Sequence, residues 1–461
     1  MCEKGVSRLA IASKDEEGFP PGRLSYSEEL LWLSGQNRIK MPVFIECPLH
    51  LSLVVRLRGR LDERALRKSL DEIVRRHSVL RCRFPEGEGG PVRVIEPHSG
   101  VRLPRHDLTS AARAERSRRT ERLLDEHVSA AFDLQQGPLW RALLLRVDSD
   151  AHILAVTVHH IVFDGRSRQV LARELSALYA HFKGDEQQAL EDPPAQYPDY
   201  ARWQRQRLDQ AALARLTRAW KSRLAGADAA GLGDQRLEAS AQEVASCRFA
   251  LSEQRTAALK DLSRHQAVTP AIGLFSLYCL FLHKIGGPRD LLVGLPLSDR
   301  RRREFEDLIG LFTNVMVVRA DMSGDPDFLS LLKRLRTSLQ QAYGQQELPY
   351  WHFLSQRQEG QAAESPYRFV FNYMNRAPAI ALELPDLRAE ILDVGNRPPG
   401  LADLSLFVQD AGETLSCRLW SKPGLFTSGQ VKRLAEQFQE LTSLVADLPA
   451  HRLSDYMLST S

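Results

Sequence analysis

The chain has 461 residues, of which 43% are hydrophobic and 26% charged, and its net charge is +4 at neutral pH. That length and balance supply apolar side chains for two cores of ordinary domain size and exclude a disordered chain. No run of 18 apolar residues occurs, and residues 1–23 mix Glu3, Lys4, Lys14, Asp15, Glu16 and Glu17 without a signal-peptide core, so no membrane contact and a cytoplasmic location are expected.

In chain order, Leu53–Leu57 reads as a strand, and Leu61–His77 as an amphipathic helix with Leu66, Leu70, Ile73 and Val74 on one face. Arg141–Val147 reads as a second strand. Ile153–Val158 has the β-branched enrichment of a buried one, and it runs into His159-His160-Ile161-Val162-Phe163-Asp164-Gly165. Asp164-Gly165 is a turn signal, which places the two histidines where the strand passes into a loop, a common position for a pocket. Val170, Leu171, Leu175, Leu178, Tyr179 and Phe182 then recur at helical spacing. The polar stretch Gly184–Pro198, with Pro193, Pro194 and Pro198, is expected to link two lobes.

The second half opens with one long helix expected from about Tyr200 to Leu224, followed by a less regular stretch to Ala245. Next come strand Cys247–Leu251, helix Ser252–His265, apolar helix Ala271–Ile285 and buried strand Leu291–Pro296. Arg300-Arg301-Arg302-Arg303 precedes Glu304, Glu306 and Asp307 and reads as a solvated charged loop; with no aromatic-interleaved basic stripe beside it, nucleic acid is not an expected partner. Cys2, Cys47, Cys82, Cys247, Cys279 and Cys417 are scattered with no zinc-type spacing, so reduced thiols and no metal are expected.

The two histidines carry the chemistry. An imidazole takes and returns a proton near neutral pH, the service an amine or hydroxyl needs while it attacks a thioester. Neighbouring residues on an extended chain point oppositely, so one ring faces a substrate and the other packs or orients. His160 is read as the catalytic ring and His159 as its support. Asp164 is read as a turn-fixing carboxylate paired with an arginine, and Gly165 as keeping a Cβ out of the path of a ligand or backbone. No serine or cysteine stands beside the histidines to act as nucleophile, which points to direct attack without an acyl-enzyme.

The string resembles the HHxxxDG hallmark of the condensation-domain family of nonribosomal peptide synthesis, and other segments resemble that family's further motifs in order. These are Leu24–Leu33, with Glu28 and Glu29 where Ala and Gln are commoner, Arg76–Phe84, Tyr197–Gln204, Ile309–Asn314 and, more loosely, Gln345–Tyr350. Ser365–Tyr373 departs from the seventh motif by lacking the arginine before it. The resemblance implies an α/β (α+β) fold of two chloramphenicol-acetyltransferase-like lobes in a V-shaped pseudo-dimer with a central tunnel: 1–183, a linker at 184–198, and 199–461. For the partner of Asp164 it offers Arg81 and Arg300, of which Arg81 is favoured for ring orientation and Arg300 for a tunnel-side role, and it implies Asn314 near the tunnel. No adenylation domain or carrier attachment site is seen, so the family reading becomes a stand-alone enzyme. It would take an acyl group from the phosphopantetheine thioester of a carrier protein in trans, pass it to a small amine or alcohol as amide or ester, and bind no cofactor itself. An acyl-CoA-dependent acyltransferase of the same superfamily and a non-catalytic binding domain are the alternatives.

Overall fold

A computed structural model describes residues 22–35, 49–184, 190–227, 231–232, 244–355, 367–375, 382–394 and 402–459. Cys2, Cys47, Ser365, Pro366 and most of the stretch read as irregular up to Ala245 lie outside these residues. The first half runs α1 (Tyr26–Gly35), β1 (His50–Gly59), α2 (Glu63–Arg76), the two-residue strands β2 (Cys82–Arg83), β3 (Glu86–Gly87), β4 (Gly90–Pro91) and β5 (Val94–Ile95), then β6 (Arg105–Asp107), α3 (Arg113–Ser129), β7 (Trp140–Arg146), β8 (Ala151–His159) and α4 (Gly165–Lys183). The second half runs α5 (Tyr197–Arg207), α6 (Gln210–Leu224), β9 (Ser246–Leu251), α7 (Glu253–His265), α8 (Pro270–Lys284), β10 (Asp290–Ser298), β11 (Thr313–Asp321), α9 (Phe328–Tyr343), α10 (Tyr350–Ser355), β12 (Phe369–Met374), β13 (Leu387–Leu392), β14 (Leu404–Asp410), β15 (Leu415–Ser421) and α11 (Ser428–Asp447).

Two larger sheets organise these elements. The first has the order β13-β1-β8-β7-β6, the second β11-β10-β12-β14-β15-β9. In β8 the alternation of side chains sorts an apolar run onto two faces: Leu154, Val156 and Val158 join a core shared with Leu66, Leu70 and Ile73 of α2, while Ile153 and Ala155 meet Leu124 and Val128 of α3. Both faces are covered, which is why the strand reads as continuously apolar. The second sheet mixes parallel pairs, β10 with β12 and β12 with β14, with antiparallel ones. Helix α8 is buried from Gly273 to Leu282, and this explains its apolar circumference. No single helix among the described residues is long and apolar enough to cross a membrane.

Three placements differ from the sequence reading. The helix expected from Tyr200 to Leu224 is two helices, because Asp209 caps the second by accepting from the Ala212 amide at 2.7 Å. Strand β13, which the sequence division assigns to the second lobe, pairs antiparallel with β1 from Val54↔Leu392 to Gly59↔Leu387 and so belongs to the first sheet. Residues 190–198 also hold to the first half: Arg76 Nη1 donates to Leu190 O at 3.1 Å, and Ser78 donates to Gln196 Oε1 through both its amide and its hydroxyl.

Candidate active site

Strand β8 delivers His159 to its last position, where it faces His50 across the β1 ladder, and the His160 amide donates to Leu49 O at 2.7 Å. One short 3-10 turn, His160–Val162, separates the strand from α4. The histidines therefore sit in a tight strand–turn–helix corner rather than in an open loop.

The ring of His159 is buried beside His50 and Phe132, with centroids 5.8 and 6.1 Å away, and its Nδ1 accepts from the Ile161 amide at 3.1 Å. Burial, with smaller contributions from His50 and His160, pushes its pKa well below the usual histidine value, so the ring stays neutral. His160 is bonded the other way. Its Nδ1 lies 2.6 Å from Phe163 O, a carbonyl that can only accept, so Nδ1 carries the hydrogen and, in the neutral ring, the lone pair is on Nε2. A general base needs that tautomer.

Asp164 terminates the turn and caps α4: Oδ1 accepts from the Ser167 amide and hydroxyl, each at 2.8 Å. Arg300 clamps the same carboxylate, Nη1 to Oδ2 at 2.6 Å and Nη2 to Oδ1 at 3.0 Å, and the Phe312 amide adds a donor at 3.1 Å. The Arg300 and Asp164 side chains are only 5% and 2% exposed. Burial alone would raise the pKa of the Asp164 carboxyl; the Arg300 guanidinium and the bonds from Arg300 and Ser167 outweigh it and hold it below the usual carboxylate value. Ser167 Oγ in turn donates to Gly310 O at 2.9 Å and accepts from the Gly310 amide at 3.0 Å, while the Arg300 guanidinium lies 4.0 Å from the centre of the Phe312 ring. The corner of the first half is thus tied to the Ser298–Phe312 segment of the second.

This corrects the arginine assignment. Arg81 is not the partner of Asp164: its Nη1 donates to Val74 O at 2.8 Å and Arg75 O at 3.0 Å, closing the C-terminal end of α2. The family resemblance offered both arginines with Arg81 favoured, whereas the fold brings Arg300 alongside from 136 residues away. The reading of Gly165 is also narrowed. A Cβ there would meet nothing within 4 Å, so no neighbouring backbone demands glycine.

His160 opens on a narrow cavity whose other walls come from α1 (Tyr26, Ser27, Leu30, Leu31), the start of β11 with the residue two before it (Leu311, Thr313, Asn314, Val315), and Pro349 with Tyr350. Asn314 lines this cavity, but its amide is committed to holding the neighbouring loop. Nδ2 donates to Gln346 O at 3.0 Å and Leu348 O at 2.9 Å, and Oδ1 accepts from the Tyr350 amide at 3.0 Å. Sequence reasoning missed Ser167, whose position three residues after a capping aspartate was the available signal, and the Tyr26 and Thr313 walls, for which periodicity gave none. It also missed the buried Glu28–Arg93 ion pair behind α1, and Glu174, which accepts from Arg76 and from His77 Nε2.

No group of side chains suited to a metal occurs among the described residues. Burial pushes the Cys82 thiol up to about 12, as it does that of Cys417, and raises Cys279 as well, which removes them as nucleophiles at neutral pH.

Two open mixed sheets, with a strand-end imidazole in a cavity between segments of both halves, give a chloramphenicol-acetyltransferase-like fold. The family model for the condensation domain matches residues 49–461, and the chain belongs to that family. It is 32% identical over 472 residues to chondramide synthase cmdD of Chondromyces crocatus, covering 100% of this chain but only 12% of the synthase. Among solved structures it resembles the X-domain from teicoplanin biosynthesis, with a TM-score of 0.83, 24% identity, and 97% and 99% of the two chains covered. It also resembles the SgcC5 protein from Streptomyces globisporus, solved with (R)-(-)-1-(2-naphthyl)-1,2-ethanediol and sucrose, with a TM-score of 0.74, 26% identity, and coverage of 94% and 100%.

Proposed function

We propose that this chain is a condensation enzyme that transfers an acyl group from a carrier-protein phosphopantetheine thioester, supplied in trans, to a separate amine or alcohol. The observation that carries the reading is the setting of His160: its Nδ1 lies 2.6 Å from Phe163 O, which leaves Nε2 as the nitrogen able to accept in the neutral ring, and the residue lines a largely apolar cavity. The acceptor's nitrogen or oxygen attacks the thioester carbonyl carbon and its proton passes to His160 Nε2. The carbon–sulfur bond then breaks, and the proton leaves with the departing thiolate as the free phosphopantetheine thiol. His159 and the Asp164–Arg300 pair serve as supports of this ring, Gly165 leaves the helix start open for the arriving arm, and the chain binds no cofactor of its own. The diol in the SgcC5 structure supports an alcohol acceptor and hence an ester product.

Positioning supplies most of the acceleration, since effective molarities of about 10⁵ M are reachable by orientation, while general-base help adds about 10² to 10⁴. The division into lobes at 1–183, 184–198 and 199–461 is part of this proposal, with β13 lent to the first sheet. The test is to incubate the chain with an acyl-loaded carrier protein and a panel of small amines and alcohols, following the carrier by intact-protein mass spectrometry. Acceptor-dependent unloading that falls by about 10²-fold or more in His160→Ala is expected. Transfer from acyl-CoA but not from the carrier would move the enzyme to the CoA-dependent branch, and no transfer from either donor would favour a binding domain.

A further inference from the structure

The walls of the His160 cavity restrict what can sit there. On the acyl-transfer reading, the nucleophile must come within about 3 Å of Nε2, so the acceptor, rather than the far end of the acyl chain, fills the space on which His160 opens. Tyr26, Leu30, Leu311, Val315 and Pro349 make that space apolar. Its polar members are mostly committed: the Asn314 amide serves its own loop, and the Ser27 hydroxyl donates to Thr313 O at 3.0 Å. Among the described residues no lysine, arginine or carboxylate lines it.

The charges behind the wall are neutralised. The Arg205 guanidinium lies 3.6 Å from the centre of the Tyr26 ring, but it is paired with Glu29 and its Nε donates to Leu24 O at 3.0 Å. A carboxylate brought into this cavity would lose its water and, among the described residues, find no lysine or arginine to pair with, and an unpaired buried carboxylate is among the most costly burials a protein can make.

We propose that the cavity selects acceptors without a free carboxylate, amines or alcohols whose carboxyl group is absent, esterified or amidated, and that Tyr26 and Val315 are specificity-determining residues in its wall. This rests on the acyl-transfer reading above and deepens it. A free amino or hydroxy acid is rejected by its charge, whereas its amide or ester of nearly the same shape is admitted.

The test uses matched acceptors: 2-phenylethylamine, phenylalaninamide and phenylalanine, and in parallel 2-phenylethanol, methyl 3-phenyllactate and 3-phenyllactate. Each is assayed for carrier unloading and, independently of turnover, for binding by calorimetry. The carboxylates should be about 100-fold or more poorer in kcat/KM, and correspondingly weaker in binding, than their uncharged counterparts. Val315→Lys, on a half-buried wall position, should shrink that ratio at least about tenfold, while Val315→Met, a size control, should preserve it. Equal use or equal binding of the carboxylates overturns the inference, as does an unchanged ratio in a Val315→Lys protein that melts like Val315→Met. If no acceptor unloads the carrier, the acyl-transfer reading fails; the binding preference still decides what the cavity selects.

Discussion

At the scale of single residues, the site is built from groups whose roles follow from their hydrogen-bond partners. His159 and His160 are adjacent and chemically identical, yet one accepts an amide hydrogen at Nδ1 and the other donates from Nδ1 to a carbonyl. Opposite tautomers result for the neutral rings, and of the two residues only His160 lines the cavity. The string of residues was enough to nominate His160, but the choice of arginine was not legible, because an ion pair spanning 136 residues leaves no local pattern. The two arginines give a direct comparison. Arg300→Ala strands the buried Asp164 carboxylate and should cost about 3–5 kcal/mol, whereas Arg81→Ala removes bonds to the end of one helix and should cost about 1 kcal/mol. Urea unfolding of both variants checks the order. Equal losses would mean that Asp164 is held by its cap and by the Phe312 amide, without need of the guanidinium.

At the scale of elements, helices and strands were read well where a single period covers them and poorly where tertiary partners decide. The apolar face of α2 and the run of β8 are properties of consecutive residues, and both elements stand where periodicity put them. The break between α5 and α6 depends on Asp209 choosing a backbone amide over continued helix, a competition that composition rich in helix formers conceals. Helix α5 matters to the site through its docking. The Tyr197 hydroxyl donates to Leu311 O at 2.6 Å, and the Tyr197 ring lies so close to Gly310 that any added Cβ would overlap its carbons. Gly310→Ala should therefore push α5 away from the loop that carries Leu311 and Phe312. The expected cost is about 1–3 kcal/mol of stability together with a rise in KM for the acceptor. A variant as stable as the parent in thermal melts would show that the loop yields without strain.

At the scale of the whole molecule, the two halves share a strand, β13, and an ion pair, Asp164–Arg300, so the first sheet is not complete from the first half of the sequence, whereas all six strands of the second sheet come from the second half. Stability should also follow the buried histidines. Burial lowers the pKa of His50, His152 and His159, and that of His127 to about 4; the unfolded chain therefore binds protons below pH 6.5 that the folded chain refuses. Their contribution is complete above about pH 6.5 and declines as pH falls from there toward 4, by at most about 1.4 kcal/mol per pH unit for each histidine. Asp164, whose pKa is lowered, contributes above the ordinary carboxylate pKa and loses its share only at more acidic pH. The urea midpoint should fall between pH 6.5 and 4.5, and His159→Asn should flatten that slope; a midpoint constant over this range would contradict neutral burial of these rings. By itself, the sequence determined the helix and strand faces, which reside in local periodicity, and through the order of its motifs it pointed to the family and its fold and nominated His160. Tertiary structure alone decided which arginine holds Asp164, which sheet takes Leu387–Leu392 and which side chains face His160. Each of these is a contact between distant segments, and its energy comes from burial and pairing that exist only once both sides are in place.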